Sequence, residues 1–204
     1  CNKIWNAYRL VSGWTIDDSQ PVPEAAGLAS LWFESKQNEV AAEVADLFSK
    51  YRLSEALMAV YKLFWDEFSS WYLEMIKPAY GQGIHSSIHS AAISYFDNLL
   101  HLLHPFMPFI TEELWQQMYE REEGESLMVC PLTINTYVDS ETVRQFEVVK
   151  EVISNVRSIR LQKNIAQKET LELQVVGENP IAEFNPVIMK MCNLSAIDVV
   201  DTKT

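Results

Sequence analysis

Three polar residues spaced three apart, Lys3, Asn6 and Arg9, sit beside the aromatic rings of Trp5 and Tyr8 at the start of this chain. Spacings of three and four make side chains neighbours on a helix surface. The segment can therefore present an amide, a guanidinium and aromatic faces together. Such planes stack on unpaired nucleobases and hydrogen-bond their edges. An ordinary amphipathic helix explains the same residues, so the choice rests on what accompanies them. The stretch begins mid-helix, without an initiator Met or a capping residue. That leads to the expectation of a longer polypeptide with part of its function upstream.

Residues that could catalyse a reaction are present but do not converge. His85 and His89 are four apart, a spacing that can ligate a metal from one helix face, and His101 and His104 are three apart. No Asp, Glu or Cys near either pair completes a coordination set, so no metal site is expected. Ser69-Ser70 and Ser86-Ser87 lack an orienting base, and the adjacent Glu112 and Glu113 diverge on a helix. With six glycines in the chain there is no phosphate-cradling loop or dinucleotide fingerprint. No catalytic residue is assigned.

Composition narrows the class. The chain has 204 residues, 48% of them hydrophobic, enough for a real core. No apolar run approaches the roughly 18 residues that span a bilayer, and no leader segment is read. Cys1, Cys130 and Cys192 are odd in number and widely spaced, which fits a reducing, cytoplasmic compartment. The net charge of −12 argues against non-specific affinity for polyanions. Residues 144–168 run the other way: Arg144, Lys150, Arg157, Arg160, Lys163 and Lys168 stand against Glu147 and Glu151, net +4. That stretch reads either as a solvated helix face or as a local phosphate-contacting patch.

The elements that must position these residues are mostly helices. Gly13, Pro21, Pro23 and Gly27 mark a loop after the opening helix, and a second helix is predicted from Leu28 to Lys50. Ser54 is the expected N-cap of a third helix reaching Lys77, apolar around most of its circumference and so expected at the centre of a bundle. A fourth is predicted over Ser86–His104. The prolines at 105 and 108 force an elbow, and Thr111 is expected to cap a fifth helix. After a loop over 120–139, a long helix is predicted from Ser140 to Lys163, then a strand over 170–176, a short helix and a strand over 196–200. The expected fold is mainly α: a helical bundle over 1–139, its long terminal helix over 140–165, and a small α/β element over 166–204. Two strands rarely make a stable sheet alone, so that element is expected to be truncated.

Several segments together resemble one family. Cys1 to Val11 (CNKIWNAYRLV) resembles the helix that follows the nucleotide-binding domain in class I aminoacyl-tRNA synthetases. Tyr51 to Tyr72 (YRLSEALMAVYKLFWDEFSSWY), Leu102 to Gln116 (LLHPFMPFITEELWQ) and Val156 to Ile165 (VRSIRLQKNI) are similar to the anticodon-binding bundle of the valyl members. The isoleucyl and leucyl siblings share the elbow but fit the "FWDEF" helix and "WNAYR" opening less well.

The resemblance implies a division of labour. In the family an upstream catalytic domain uses ATP and Mg²⁺ to join valine to tRNA, through His-Ile-Gly-His and Lys-Met-Ser-Lys-Ser signatures that this sequence lacks. The chain itself is then expected to need no cofactor, to catalyse nothing, and to hold the anticodon stem-loop of tRNA(Val). Asn6 and Arg9 are the expected base contacts, with Trp32 as a stacking partner and Lys3 and Trp5 as secondary ones. Core packing is the other reading of Trp32. Arg157, Arg160 and Lys163 are expected on backbone phosphates. The acidic balance implies weak, salt-sensitive binding. A helical protein-interaction domain without an RNA role is the rival.

Overall fold

A computed structural model describes residues 2–132 and 135–201; Cys1 and the last three residues of the α/β element therefore lie outside the described residues. Helix α1 (Asn2–Ser12) buries Ile4, Ala7 and Val11, spaced three and four apart as a helical core face requires. A loop then leads to α2 (Glu24–Ser49), which begins four residues before the predicted Leu28. Pro23 stands just ahead of it in an extended conformation, Glu24 lies where the helix dipole favours negative charge, and Ala25 and Ala26 are strong helix formers. At its far end Tyr51 takes a left-handed φ of 58°. The Tyr51 amide donates to the Phe48 carbonyl and the Arg52 amide to the Leu47 carbonyl, closing the helix as a Schellman motif.

The third helix is continuous but not uniform. Helix α3 (Leu53–Lys62) widens into a π-helical segment (Leu63–Tyr72) and returns to an α turn, α4 (Leu73–Ile76). A spacing of four explains it. Ala56, Val60, Phe64, Phe68, Tyr72 and Ile76 are all buried. Steps of four drift about 40° on an α-helix of 3.6 residues per turn, so five steps would carry the stripe more than halfway round. Widening the turn reverses that drift, as the Leu73 amide shows by donating to the Phe68 carbonyl, five residues back. Ser54 does not cap α3. It lies within the first turn, and Arg52, just before the helix, pairs instead with Glu55. The expected central position of this helix is also corrected, because Leu53, Leu57, Tyr61 and Trp65 form an exposed second stripe.

Helix α2 occupies the centre, packing against α3, the π segment, α4, α5 (Ser86–Leu103), α7 (Ser140–Gln162) and α8 (Asn185–Cys192). Its Trp32 is fully buried and stacks on Phe146 of α7, with centroids 4.0 Å apart and planes within 19°. Phe33 stacks on Tyr72 at 4.8 Å. Helix α6 (Pro108–Met118) starts three residues before the predicted Thr111 cap, because proline's fixed φ suits a first turn. Thr111 is buried instead, donating its hydroxyl to the Met107 carbonyl at 2.9 Å. Asp139 caps α7 by accepting from the Thr142 amide, and α2 holds the preceding loop through Asn38, whose amide donates to the Tyr137 carbonyl. Strands β1 (Leu171–Val176) and β2 (Leu194–Val200) pair in parallel around the α8 crossover. Helix α8 docks that unit on α2, α4 and α7.

All four histidines serve the fold. His85 caps α5 by accepting from the Ser87 amide. His89 meets the Val11 carbonyl at 3.0 Å, His104 the Thr111 hydroxyl at 2.8 Å, and His101 lies 3.7 Å from the Asp97 carboxylate. Among the described residues no cluster of His, Cys, Asp and Glu is arranged to hold a metal.

Two outcomes follow. Trp32→Ala is expected to remove about 3–5 kcal/mol of stability, read from urea unfolding, because a buried ring stacked between helices is lost. The second concerns pH. Burial lifts the Asp97 carboxyl above its ordinary range, against the opposing pull of His101 and Arg121. A folded-state value above the unfolded one means the stabilisation is complete below about pH 4 and is lost as pH rises through the raised value. Asp97→Asn should abolish that loss, so the gap between its urea midpoint and that of the unsubstituted chain should grow in its favour as pH rises.

Candidate nucleic-acid interface

With Ile4, Ala7 and Val11 turned toward α5, the outward face of α1 carries Lys3, Asn6 and Arg9. Asn6 and Arg9 are exposed. Neither side chain has a hydrogen-bond or ion-pair partner among the described residues. Lys3 is half-buried at the edge of this face. Its Nζ lies 3.5 Å from the centroid of the Trp65 ring and donates to the Trp65 carbonyl at 3.1 Å. Burial lowers its pKa, and nearby Asp66 acts in the opposite direction. Trp5 lies about 200° round the helix from Lys3. It is half-buried against the core, so it does not join the Lys3–Asn6 edge.

Two of the expected contacts are corrected by burial. Trp32 has no exposed surface, because α2 is the central helix and the ring fills the space against Phe146. It cannot stack on a base in this conformation. Arg160 is 1% exposed and cannot reach a phosphate. Its guanidinium donates to the carbonyls of Ala166, Cys192 and Asn193, tying the end of α7 to the end of α8, where the helix dipole favours a cation.

The basic stretch on α7 is thinner in three dimensions than in sequence. Lys150 pairs with Glu67 at 2.6 Å and with Glu147 at 2.9 Å, and Arg144 pairs with Glu141. Arg157, Lys163 and Lys168 stay exposed. The Arg157 guanidinium lies 5.6 Å from the Trp71 ring. The π segment thus offers Trp65 to α1 and Trp71 to α7, and it lies between the two groups of cations.

Sequence reading passed over Tyr61 and Trp65, treating the rings of this helix as core. They are 47% and 40% exposed and stack on one another, centroids 5.4 Å apart and planes within 15°. The signal was the second apolar repeat at spacing four, Leu53, Leu57, Tyr61 and Trp65, three positions behind the buried one. A helix burying one stripe at that spacing leaves the other on its flank.

Comparison with known proteins identifies the family. Residues 30–175 match the family described as the anticodon-binding domain of tRNA ligase. The chain is similar over its whole length to a valine–tRNA ligase of Bacteroides thetaiotaomicron, at 77% identity, and to one of Porphyromonas gingivalis, at 52%. A valine–tRNA ligase of Pseudothermotoga lettingae is 34% identical over 92% of the chain. The chain spans about a quarter of these relatives, 23% of the first two and 22% of the third. Among the described residues no helix is long and apolar enough to cross a membrane. The family match over residues 30–175, together with the similarity of the whole chain to valine–tRNA ligases, shows that this protein belongs to the anticodon-binding domains of tRNA ligases.

Proposed function

We propose that this chain holds the anticodon stem-loop of tRNA(Val) for a longer polypeptide that attaches valine to that tRNA. The observation that carries the reading is the pair of unpaired, exposed side chains Asn6 and Arg9 on α1. Asn6 contacts a base edge. Arg9 contacts an edge or a phosphate, and Lys3 joins them at the rim. Arg157 and Lys163 meet backbone phosphates at the other end of the bundle. The relatives named for valine favour this amino acid over isoleucine or leucine. Bond-making belongs to a catalytic domain elsewhere in the polypeptide, where ATP and Mg²⁺ would act. Among the described residues no group of His, Cys, Asp and Glu side chains gathers into a set that fits that metal. The domain limits 1–139, 140–165 and 166–204 are kept as part of this reading, supported by α8 as a docking helix between bundle and sheet.

A stem-loop with a valine anticodon and one with a scrambled loop separate this reading from its rival. The cognate loop should bind more tightly, and Asn6→Ala should weaken it roughly three- to tenfold. Arg9→Ala should weaken it roughly tenfold or more and reduce the slope of log affinity against log salt by about 0.7. Trp32→Phe and Arg160→Lys, both inside the core, should leave the cognate-to-scrambled ratio unchanged if they fold. The exposed Leu53, Leu57 and Met58 are the observation favouring a protein-interaction domain. No response to either loop at low salt would support that rival.

A further inference from the structure

Resting on the reading above, we propose that Tyr61 and Trp65 form, with Lys3, a stacking platform that receives one unpaired base of the bound stem-loop. Two large rings lie open side by side, 47% and 40% exposed, with planes only 15° apart. Parallel rings at the spacing of an offset stack are the arrangement that a nucleobase continues, because every base offers a π face. Among the described residues Trp65 is the one ring stacked on Tyr61, which is nearly half exposed. Lys3 covers the neighbouring Trp65, so the Tyr61 face is the open end of the column.

The surroundings supply what the rest of a nucleotide needs. The Lys3 ammonium is held over Trp65 with one proton committed to the Trp65 carbonyl at 3.1 Å. Its other protons are free to meet the phosphate attached to the stacked base. Asn6 lies one helical turn further on, with its amide unpaired, positioned for a base edge. The same three components, ring face, cation and amide, do not recur at Trp71, where Arg157 stands 5.6 Å away and the ring is half-buried. The charge placement also favours RNA over a protein segment at this end of the stripe. A cation is fixed over Trp65, while Arg52 beside Leu53, at the far end of the stripe, is paired with Glu55.

The platform and the broader reading fail in different ways. In titrations of this chain with the valine-anticodon stem-loop, Tyr61→Ala should lose roughly five- to a hundredfold in affinity, the range for one stacked base, with no change in salt slope. Tyr61→Phe should retain affinity, because the ring and not the hydroxyl is used. Lys3→Gln should lower the slope by about 0.7. Loops with a single abasic position, tested in turn, should include one against which Tyr61→Ala has no further effect. Circular dichroism and urea midpoints of each variant should match those of the unsubstituted chain, because the substituted residues lie at the surface. If Tyr61→Ala and Trp65→Ala bind like the unsubstituted chain while Asn6→Ala and Arg9→Ala weaken binding, the platform is overturned and the stem-loop reading stands. A loss at Tyr61→Ala that Tyr61→Phe shares also overturns it. An unsubstituted chain that ignores the stem-loop at low salt overturns both.

Discussion

The spacing of four along residues 53–76 is the constraint on which this structure turns. Burying Ala56, Val60, Phe64, Phe68, Tyr72 and Ile76 on one line is incompatible with a uniform α-helix, and the π-helical turns absorb the mismatch. Ser69 and Ser70 each donate a hydroxyl to the carbonyl five residues back, lining the widened stretch. The geometry that seats Phe68 and Tyr72 against α2 also turns Tyr61 and Trp65 outward beside α1. Core packing and the candidate stacking surface are therefore one event. A change that converted this stretch to plain α-helix would move both.

Around that helix the aromatic core is layered on α2. Trp32 stacks on Phe146 and Phe33 on Tyr72, so a single helix locks the π segment on one side and α7 on the other. Lys150 adds an ion pair to Glu67 from within this layer, its Nζ 5.1 Å from the Trp32 ring. Both partners are largely shielded, so water screens the pair little. The small α/β element is attached by a different device: Arg160 is fully buried, and its terminal nitrogens donate to the Ala166 carbonyl just after α7 and to the Cys192 and Asn193 carbonyls at the end of α8, without a carboxylate. A two-stranded parallel sheet is too small to stand alone, and α8 with this arginine anchors it to the bundle.

Charge is used economically. The chain is acidic overall, and Arg52, Arg144, Lys36, Lys50 and Lys150 are all paired with carboxylates. The cations left over include Arg9 on α1 and Arg157, Lys163 and Lys168 at and beyond the end of α7, which can meet a phosphate without giving up a carboxylate. Lys3 is intermediate, since its ring and carbonyl contacts hold it in place without neutralising it. Weak non-specific attraction with a few preplaced cations suits a module whose grip depends on loop shape and exposed bases.

The sequence by itself determined much of this. Local periodicity fixed α1, α5, α7 and both strands to within a few residues, because each buries a face against one neighbour and the apolar pattern records that face. It also nominated Asn6 and Arg9 as outward contacts, and the structure exposes both, away from buried Ile4, Ala7 and Val11. Helix starts at Ser54 and Thr111 were misread because proline and a pairing arginine set the first turns in place of a hydroxyl cap. Tertiary structure alone decided which rings and cations are accessible. Trp32 and Arg160 carry chemistry suited to RNA but are consumed inside, while Tyr61 and Trp65 look like core residues and lie open. An aromatic or a guanidinium is equally able to stack on a protein ring or a base, and only the position of the neighbouring helices determines which it meets.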